Sequence, residues 1–270
     1  MSLSPARLAD LDAFLLQLNR AAGEVILPLF RGDHGLEDKN AGGRLDPVTE
    51  ADKGAERAIR ALISKTFPDH GVIGEEYGED RPDAEFVWVL DPVDGTRAFI
   101  AGLPLWTTLI ALRHNGDPIL GSIGQSYLDE IYIGSPKTGS RLVARGYETP
   151  LKVRPCPTLS GAVIATTDPD IFKDHELAAW TSVRRATRLA RLGCDAYAYA
   201  QVAAGNMDLV IESGLQSWDV DAAVPVVEGA GGFVTNWRGD RIGRNGGQLV
   251  IAGDRACLDD AVASLKPSAQ

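Results

Sequence analysis

Two aspartates, three residues apart, close the apolar run in Phe86-Val87-Trp88-Val89-Leu90-Asp91-Pro92-Val93-Asp94-Gly95-Thr96. Paired carboxylates at a strand end can hold a metal ion. The run of five apolar residues reads as a buried strand, and Pro92 and Gly95 are expected to turn the backbone sharply at its carboxyl end. Ligands of α/β folds collect there. Asp91 and Asp94 would sit side by side on a rigid edge, where two like charges repel unless a cation lies between them. The segment points to an ion before it points to a reaction.

Three more acidic clusters accompany it: Gly74-Glu75-Glu76 after Val72-Ile73, Trp218-Asp219 at the start of an expected helix, and Asp46-Pro47-Val48-Thr49 with Asp52. Each has an ordinary explanation when taken singly. Asp-Gly is commonly a turn, Glu-Glu is commonly solvated surface, and Thr49 with Asp52 can be a helix cap.

The elements that must position these residues follow from hydrophobic periodicity. Ser4-Pro5 opens a helix whose apolar positions Leu8, Leu11, Leu15, Leu18, Ala22, Val25, Ile26 and Leu29 share one face. A loop rich in Gly and charge then runs from Gly32 to Leu45, and Thr49 caps a second helix that Pro68 ends. From Phe86 to about Val143, short β-like runs follow one another closely enough to suggest an antiparallel meander. Beyond Pro155 strands and helices alternate. The expected organisation is an α+β half, 1–154, carrying most of the acidic residues and an α/β half, 155–270, completing the site, packed as one unit. The tail from Lys266 to Gln270 is polar and is expected to fray.

Composition narrows the function classes. With 37 acidic and 27 basic residues among 270, the chain carries a formal charge of -10, which disfavours nucleic-acid backbones and anionic membranes and favours a small-molecule substrate. No segment has the ~18 uninterrupted apolar residues of a membrane span. Three widely spaced cysteines without a CxxC pair suggest neither a disulfide framework nor a thiolate zinc site, and a cytoplasmic location is the default. His34, His70, His114 and His175 stand apart from the acidic clusters and read as surface residues. Cys194 reads as a small buried residue.

In this order and spacing, Asp46-Pro-Val-Thr49-Glu-Ala-Asp52, Gly74-Glu75-Glu76, Trp88-Val-Leu-Asp91-Pro-Val-Asp94-Gly95-Thr96 and Trp218-Asp219-Val-Asp-Ala-Ala resemble the signature segments of the inositol monophosphatase family. The resemblance spans nearly the whole chain. It implies a layered αβαβα fold, a homodimer, and a magnesium-dependent, lithium-sensitive phosphatase with two or three ions per site. It gives Glu75, Asp91 and the Val93 carbonyl to one ion and Asp91, Asp94 and Asp219 to a second, with Glu75 reaching a third through water. Thr96, hydrogen-bonded to Asp46, would orient the attacking water, and Gly95 and Thr96 would offer N–H groups to phosphate. Carboxylates and carbonyls are the hard donors that Mg²⁺ prefers, and no paired His or Cys at ligand spacing favours zinc.

Substrate choice must come from the other side of the pocket, where Gly193-Cys194-Asp195-Ala196 and Glu212-Ser213-Gly214-Leu215 lie. Asp195 stands where inositol-type members carry a small neutral residue. Asp195 and Glu212 together favour a cationic leaving group. With Arg97 after Thr96, the pattern resembles the histidinol-phosphate phosphatase branch. An inositol or broad sugar-phosphate phosphatase is the competing reading, and an interaction module in a transcription complex is the competing reading of another class.

Overall fold

The computed structural model describes residues 4–38 and 47–270. Half of the expected loop from Gly32 to Leu45, residues 39–45, lies outside them; the described half ends in a two-residue strand, Glu37–Asp38, paired antiparallel with Pro47–Val48.

Ser4 accepts a hydrogen bond from the Arg7 N–H, and the first helix spans Pro5–Ile26. It stops three residues before Leu29, the last periodic apolar position. Pro28 has no N–H to continue the ladder, so the chain leaves through tighter turns from Leu29 to Ile26 and from Phe30 to Leu27. The second helix, Glu50–Thr66, begins with a capping box in which Asp52 accepts from the Thr49 N–H at 2.8 Å. Its buried face, Ala51, Ala55, Ile59 and Ile63, repeats every four residues and packs on the first helix.

Both helices cover one face of an eight-stranded sheet. Its order is Tyr147–Pro150, Gly139–Ala144, Glu130–Ser135, Asp117–Gln125, Thr107–His114, Phe86–Asp94, Gly71–Gly74 and Gly78–Asp80. Strands from Phe86 to Pro150 form the antiparallel meander, while Gly71–Gly74 runs parallel to Phe86–Asp94. The second sheet is ordered Leu189–Leu192, Val163–Thr166, Leu209–Leu215, Gly247–Ala252 and Phe233–Thr235, its first three strands parallel. Leu189–Leu192 escapes the sequence reading because it is an edge strand whose leucines are exposed, so burial leaves no alternation in it.

Side-chain alternation builds five layers. Trp88, Leu90, Ile110 and Leu112 face the outer helices, whereas Val87, Val89, Leu109 and Ala111 face a middle layer containing helices Tyr197–Ala203 and Ala223–Gly229. Val210 and Ile251 of the second sheet close that middle layer from the other side. Leu209, Ile211 and Val250 point away, beneath helices Asp174–Ala186 and Arg255–Leu265. The result is the αβαβα sandwich. Gly121 allows a close approach between layers: a Cβ there would fall 2.5 Å from the Ala222 carbonyl oxygen, so the start of helix Ala223–Gly229 rests on bare backbone. Among the described residues, no helix is long and apolar enough to cross a membrane.

Two sequence expectations are overturned. The C-terminal tail is docked: Gln270 donates through its backbone N–H to Gln248 at 2.9 Å and through its side chain to the buried Glu176 at 3.0 Å. Polar residues anchor it to polar partners that hydrophobic patterning does not register. His70 belongs to the core instead of the surface, stacked between Phe67 and Phe86 and accepting a hydrogen bond from the Trp88 indole N–H at 3.1 Å. His34 and His114 are half-buried, and His175 is exposed.

Burial pushes the His70 imidazole down to about 4. The folded protein then binds fewer protons than the unfolded chain below the ordinary histidine value, so its stability falls as pH drops from about 6.5 towards 4. Urea denaturation across this range should show the fall in wild type and a shallower one in His70→Gln, which keeps an acceptor for Trp88 without titrating. Parallel profiles would refute the assignment.

Candidate active site

The carboxylate pair converges because the strand is irregular. Side chains of a regular strand alternate, so residues three apart point to opposite faces. Here Asp91 pairs with Leu109 and Asp94 with Thr107, so three steps on one strand oppose two on its neighbour. This is a β-bulge. Its effect appears in Val93, which packs with the outer helices although alternation from Val89 would turn it inward. The backbone therefore continues as strand through Pro92 and turns only at Gly95, whose φ of 82° suits a residue without Cβ. The turn expected at Gly95 is present, whereas the one expected at Pro92 is not.

Oxygens of Asp91, Asp94 and Asp219 consequently lie within 4.8 Å of one another. Asp219 arrives on the short helix Ser217–Val220 and is fixed by the Gln216 N–H at 2.6 Å. Asp94 is fixed by the Ala196 N–H at 2.7 Å, with the Thr107 hydroxyl at 3.4 Å. Asp91 is 2% exposed, and its Oδ1 has no hydrogen-bond partner.

Such a cluster is costly when fully ionised. Two unit charges this close repel by about 3 kcal/mol at an effective dielectric near 20, more than the ~1 kcal/mol of a typical hydrogen bond. Desolvation accordingly holds the Asp91 carboxyl well above its ordinary range, reinforced by Glu75, Asp94 and Asp219. Asp94 is raised by desolvation and then by Asp195 and Asp219. Asp219 is pushed to about 7, mainly by burial, with Glu75 adding repulsion. A hard cation relieves all three, and the orphaned Asp91 oxygen provides an additional donor. The donor set fits such an ion: oxygen alone, anionic and converging.

Glu75 stands outside this trio but near enough to repel all three carboxyls, and it has a separate support. The Glu75 N–H bonds to the Leu90 carbonyl at 3.2 Å, and the next two backbone N–H groups, of Glu76 and Tyr77, donate to Glu56 at 2.8 and 3.2 Å. Glu56 is completely buried and ion-paired with Arg60 at 2.7 Å. A Cβ on Gly74 would fall 2.1 Å from the Glu56 carboxylate, so the glycine makes room for this brace. Sequence reading passed over Glu56, although an acid on the buried face between Ala55 and Ile59 is a visible signal.

Thr96 lies beside the cluster, its hydroxyl donating to the Val93 carbonyl at 3.1 Å. Asp46, its expected partner, lies outside the described residues. Within them, the carboxylate facing the Thr96 hydroxyl is Asp52, at 3.5 Å, whose other oxygen is held by Thr49. Arg97 is exposed and stands 3.9 Å from Asp168.

Across the pocket, Asp195 adopts a left-handed φ of 44° and presses its carboxylate against Gly95, where a Cβ would lie 3.2 Å from Asp195 Cγ. Burial raises Asp195 to about 6, against the opposing pull of Arg97. Glu212 is 1% exposed and accepts from the Thr166 hydroxyl at 3.1 Å, the Thr167 N–H at 2.8 Å and the Thr167 hydroxyl at 3.1 Å. Burial still lifts it to about 8. Cys194 is buried beside this turn. Thr166 and Thr167, absent from the sequence candidates, follow from their place at the carboxyl end of a parallel strand.

Comparison with known proteins gives a consistent likeness. The sequence pattern of the inositol monophosphatase family matches residues 7–267. The protein named "Bifunctional phosphatase IMPL2, chloroplastic" from Arabidopsis thaliana is 44% identical over 245 residues, covering 88% of this chain and 69% of its own. A histidinol-phosphatase from Chlorobaculum parvum is 34% identical over 243 residues, covering 88% of this chain and 90% of its own. The solved structure of an inositol monophosphatase from Zymomonas mobilis superposes with a TM-score of 0.85 at 36% identity, covering 96% of this chain and 98% of its own.

Asp94→Asn removes one repelling charge while retaining an oxygen for the Ala196 N–H. Calorimetric melting should show the cation-free variant more stable than cation-free wild type. It should also lose most of the stabilisation that a divalent cation confers, which at a hundredfold excess over Kd is about 2.7 kcal/mol. An undiminished cation-induced shift would remove Asp94 from the site.

Proposed function

The chain belongs to the inositol monophosphatase family, and from that premise we propose that this phosphomonoester hydrolase is Mg²⁺-dependent and acts on L-histidinol phosphate, releasing L-histidinol and phosphate. The observation that carries the substrate is Asp195, an acid pressed against the Gly95 turn beside Asp94. Histidinol phosphate brings a primary amine and an imidazole, and a cation there relieves a desolvated carboxylate. A polyol leaving group such as inositol brings that acid no cation beyond the pull it already feels from Arg97. The relative named a histidinol-phosphatase supports the same choice, while the Zymomonas likeness keeps inositol 1-phosphate or a broader sugar phosphate as the competing substrate.

In this reading Asp91, Asp94, Asp219, Glu75 and the Val93 carbonyl hold two or three ions. Bound there, Mg²⁺ neutralises the phosphate dianion and lowers the pKa of water towards neutrality. Thr96 is the residue that orients the attacking water: its hydroxyl proton is directed to the Val93 carbonyl, leaving its lone pairs to accept from water. Asp46 and the nearby Asp52 are its carboxylate neighbours in the proposal. Gly95 and Thr96 offer backbone N–H groups to the phosphate, and Arg97, tethered near Asp168, forms the outer rim. Asp195 receives the amine, with Glu212 buried behind it. The reading includes a cytoplasmic homodimer inhibited by lithium. A purely scaffolding role in a transcription complex gives three crowded, mutually repelling carboxylates no task.

A substrate panel tests the choice. We expect kcat/KM for histidinol phosphate to exceed that for inositol 1-phosphate at least tenfold. Asp195→Ala should narrow the ratio roughly 10- to 100-fold, the range for losing a hydrogen bond to a charged group worth about 1.5–3 kcal/mol. Equal turnover of the two esters by wild type would overturn the substrate.

A further inference from the structure

Resting on that reading, we propose that Thr167 is a positioning residue for the leaving-group side of the pocket, setting the Asp195 carboxylate in place with Glu212 as its buried anchor. Thr167 follows the parallel strand Val163–Thr166 and is tied to Glu212 twice, by its N–H at 2.8 Å and its hydroxyl at 3.1 Å. Glu212 lies on the central strand Leu209–Leu215 and is 1% exposed, so the tie ends on a rigid, water-free point.

From this anchor the Thr167 carbonyl accepts the Gly193 N–H at 2.8 Å, two residues before Asp195, and the Thr167 hydroxyl favours the charged form of the Asp195 carboxyl. The third point is the Ala196 N–H, which donates to Asp94 at 2.7 Å. The turn Gly193–Ala196 is therefore clamped between Thr167 and the carboxylate cluster. The clamp falls where Asp195 has a φ of 44°, a left-handed conformation that costs a residue with a Cβ more than it costs glycine.

The test compares Thr167→Val, which removes the hydroxyl at nearly constant shape, with Thr167→Ser, which restores it. Each is assayed on histidinol phosphate and on glycerol phosphate, in wild-type and Asp195→Ala backgrounds. Thr167→Val is expected to lower the selectivity for the amine ester at least tenfold, through KM. Thr167→Ser should recover it to within threefold, and in the Asp195→Ala background Thr167→Val should change selectivity less than twofold. Amide exchange at Gly193 and Ala196 should accelerate at least tenfold in Thr167→Val, with helix Asp174–Ala186 unaffected. An equal loss on both esters, an effect persisting without Asp195, or unchanged exchange would overturn the proposal. A wild type that does not prefer the amine ester refutes the substrate reading instead, and the exchange measurement then decides the clamp.

Discussion

Mutual repulsion among Asp91, Asp94 and Asp219 is the constraint around which the rest of the molecule is arranged. Three carboxylates whose oxygens lie within 4.8 Å are unstable together in a desolvated site, so each must be held by structure that cannot relax. Asp91 is locked in a central strand, Asp94 by the bulge and the Ala196 N–H, and Asp219 by the Gln216 N–H. Protons relieve part of that repulsion, which is why all three carboxyls are held above their ordinary range, and a cation at the cluster would relieve it in their place. Affinity for such an ion would derive from rigidity as much as from charge.

That rigidity comes from the layers. The cluster lies where the first sheet meets the middle helices, and the close approach at Gly121 lets the backbone around Ala222 rest directly on the sheet. Buried polar groups brace the loops that the layers do not hold. Glu56 secures the turn bearing Glu75, the buried pair of Arg113 and Asp221 secures the segment after Asp219, and Glu212 secures Thr167. Each brace is an acid satisfied by partners on another element, which makes it costly to remove one side alone.

Much of the fold was legible because it follows from hydrophobic period: the two N-terminal helices, the meander and the alternating second half all register as apolar spacing. The misses share a cause. His70, the docked tail and Leu189–Leu192 depend on what packs or fails to pack against them, and periodicity is silent about polar residues in the core and apolar residues at an edge. Within the site, residue types at strand ends and helix starts were visible, whereas Glu56, Thr107, Thr167 and the Ala196 N–H act through contacts up to 102 residues away in the chain.

By itself the sequence determined the chemical inventory: hard oxygen donors, no cluster of soft ligands, and short acidic motifs in an order that carries a family likeness. It also determined the layer pattern, since burial period is a local property of the chain. Only the tertiary structure decided that Asp91 and Asp94 share a face, because residues three apart in a regular strand diverge and a bulge against Thr107–His114 is required to bring them together. It likewise decided that Glu212 is engaged by Thr166 and Thr167 while Asp195 is pressed against Gly95. Hydrogen bonds between distant segments have no periodic signature, so which acid is occupied and which lies beside the reaction centre is known only once the chain has folded.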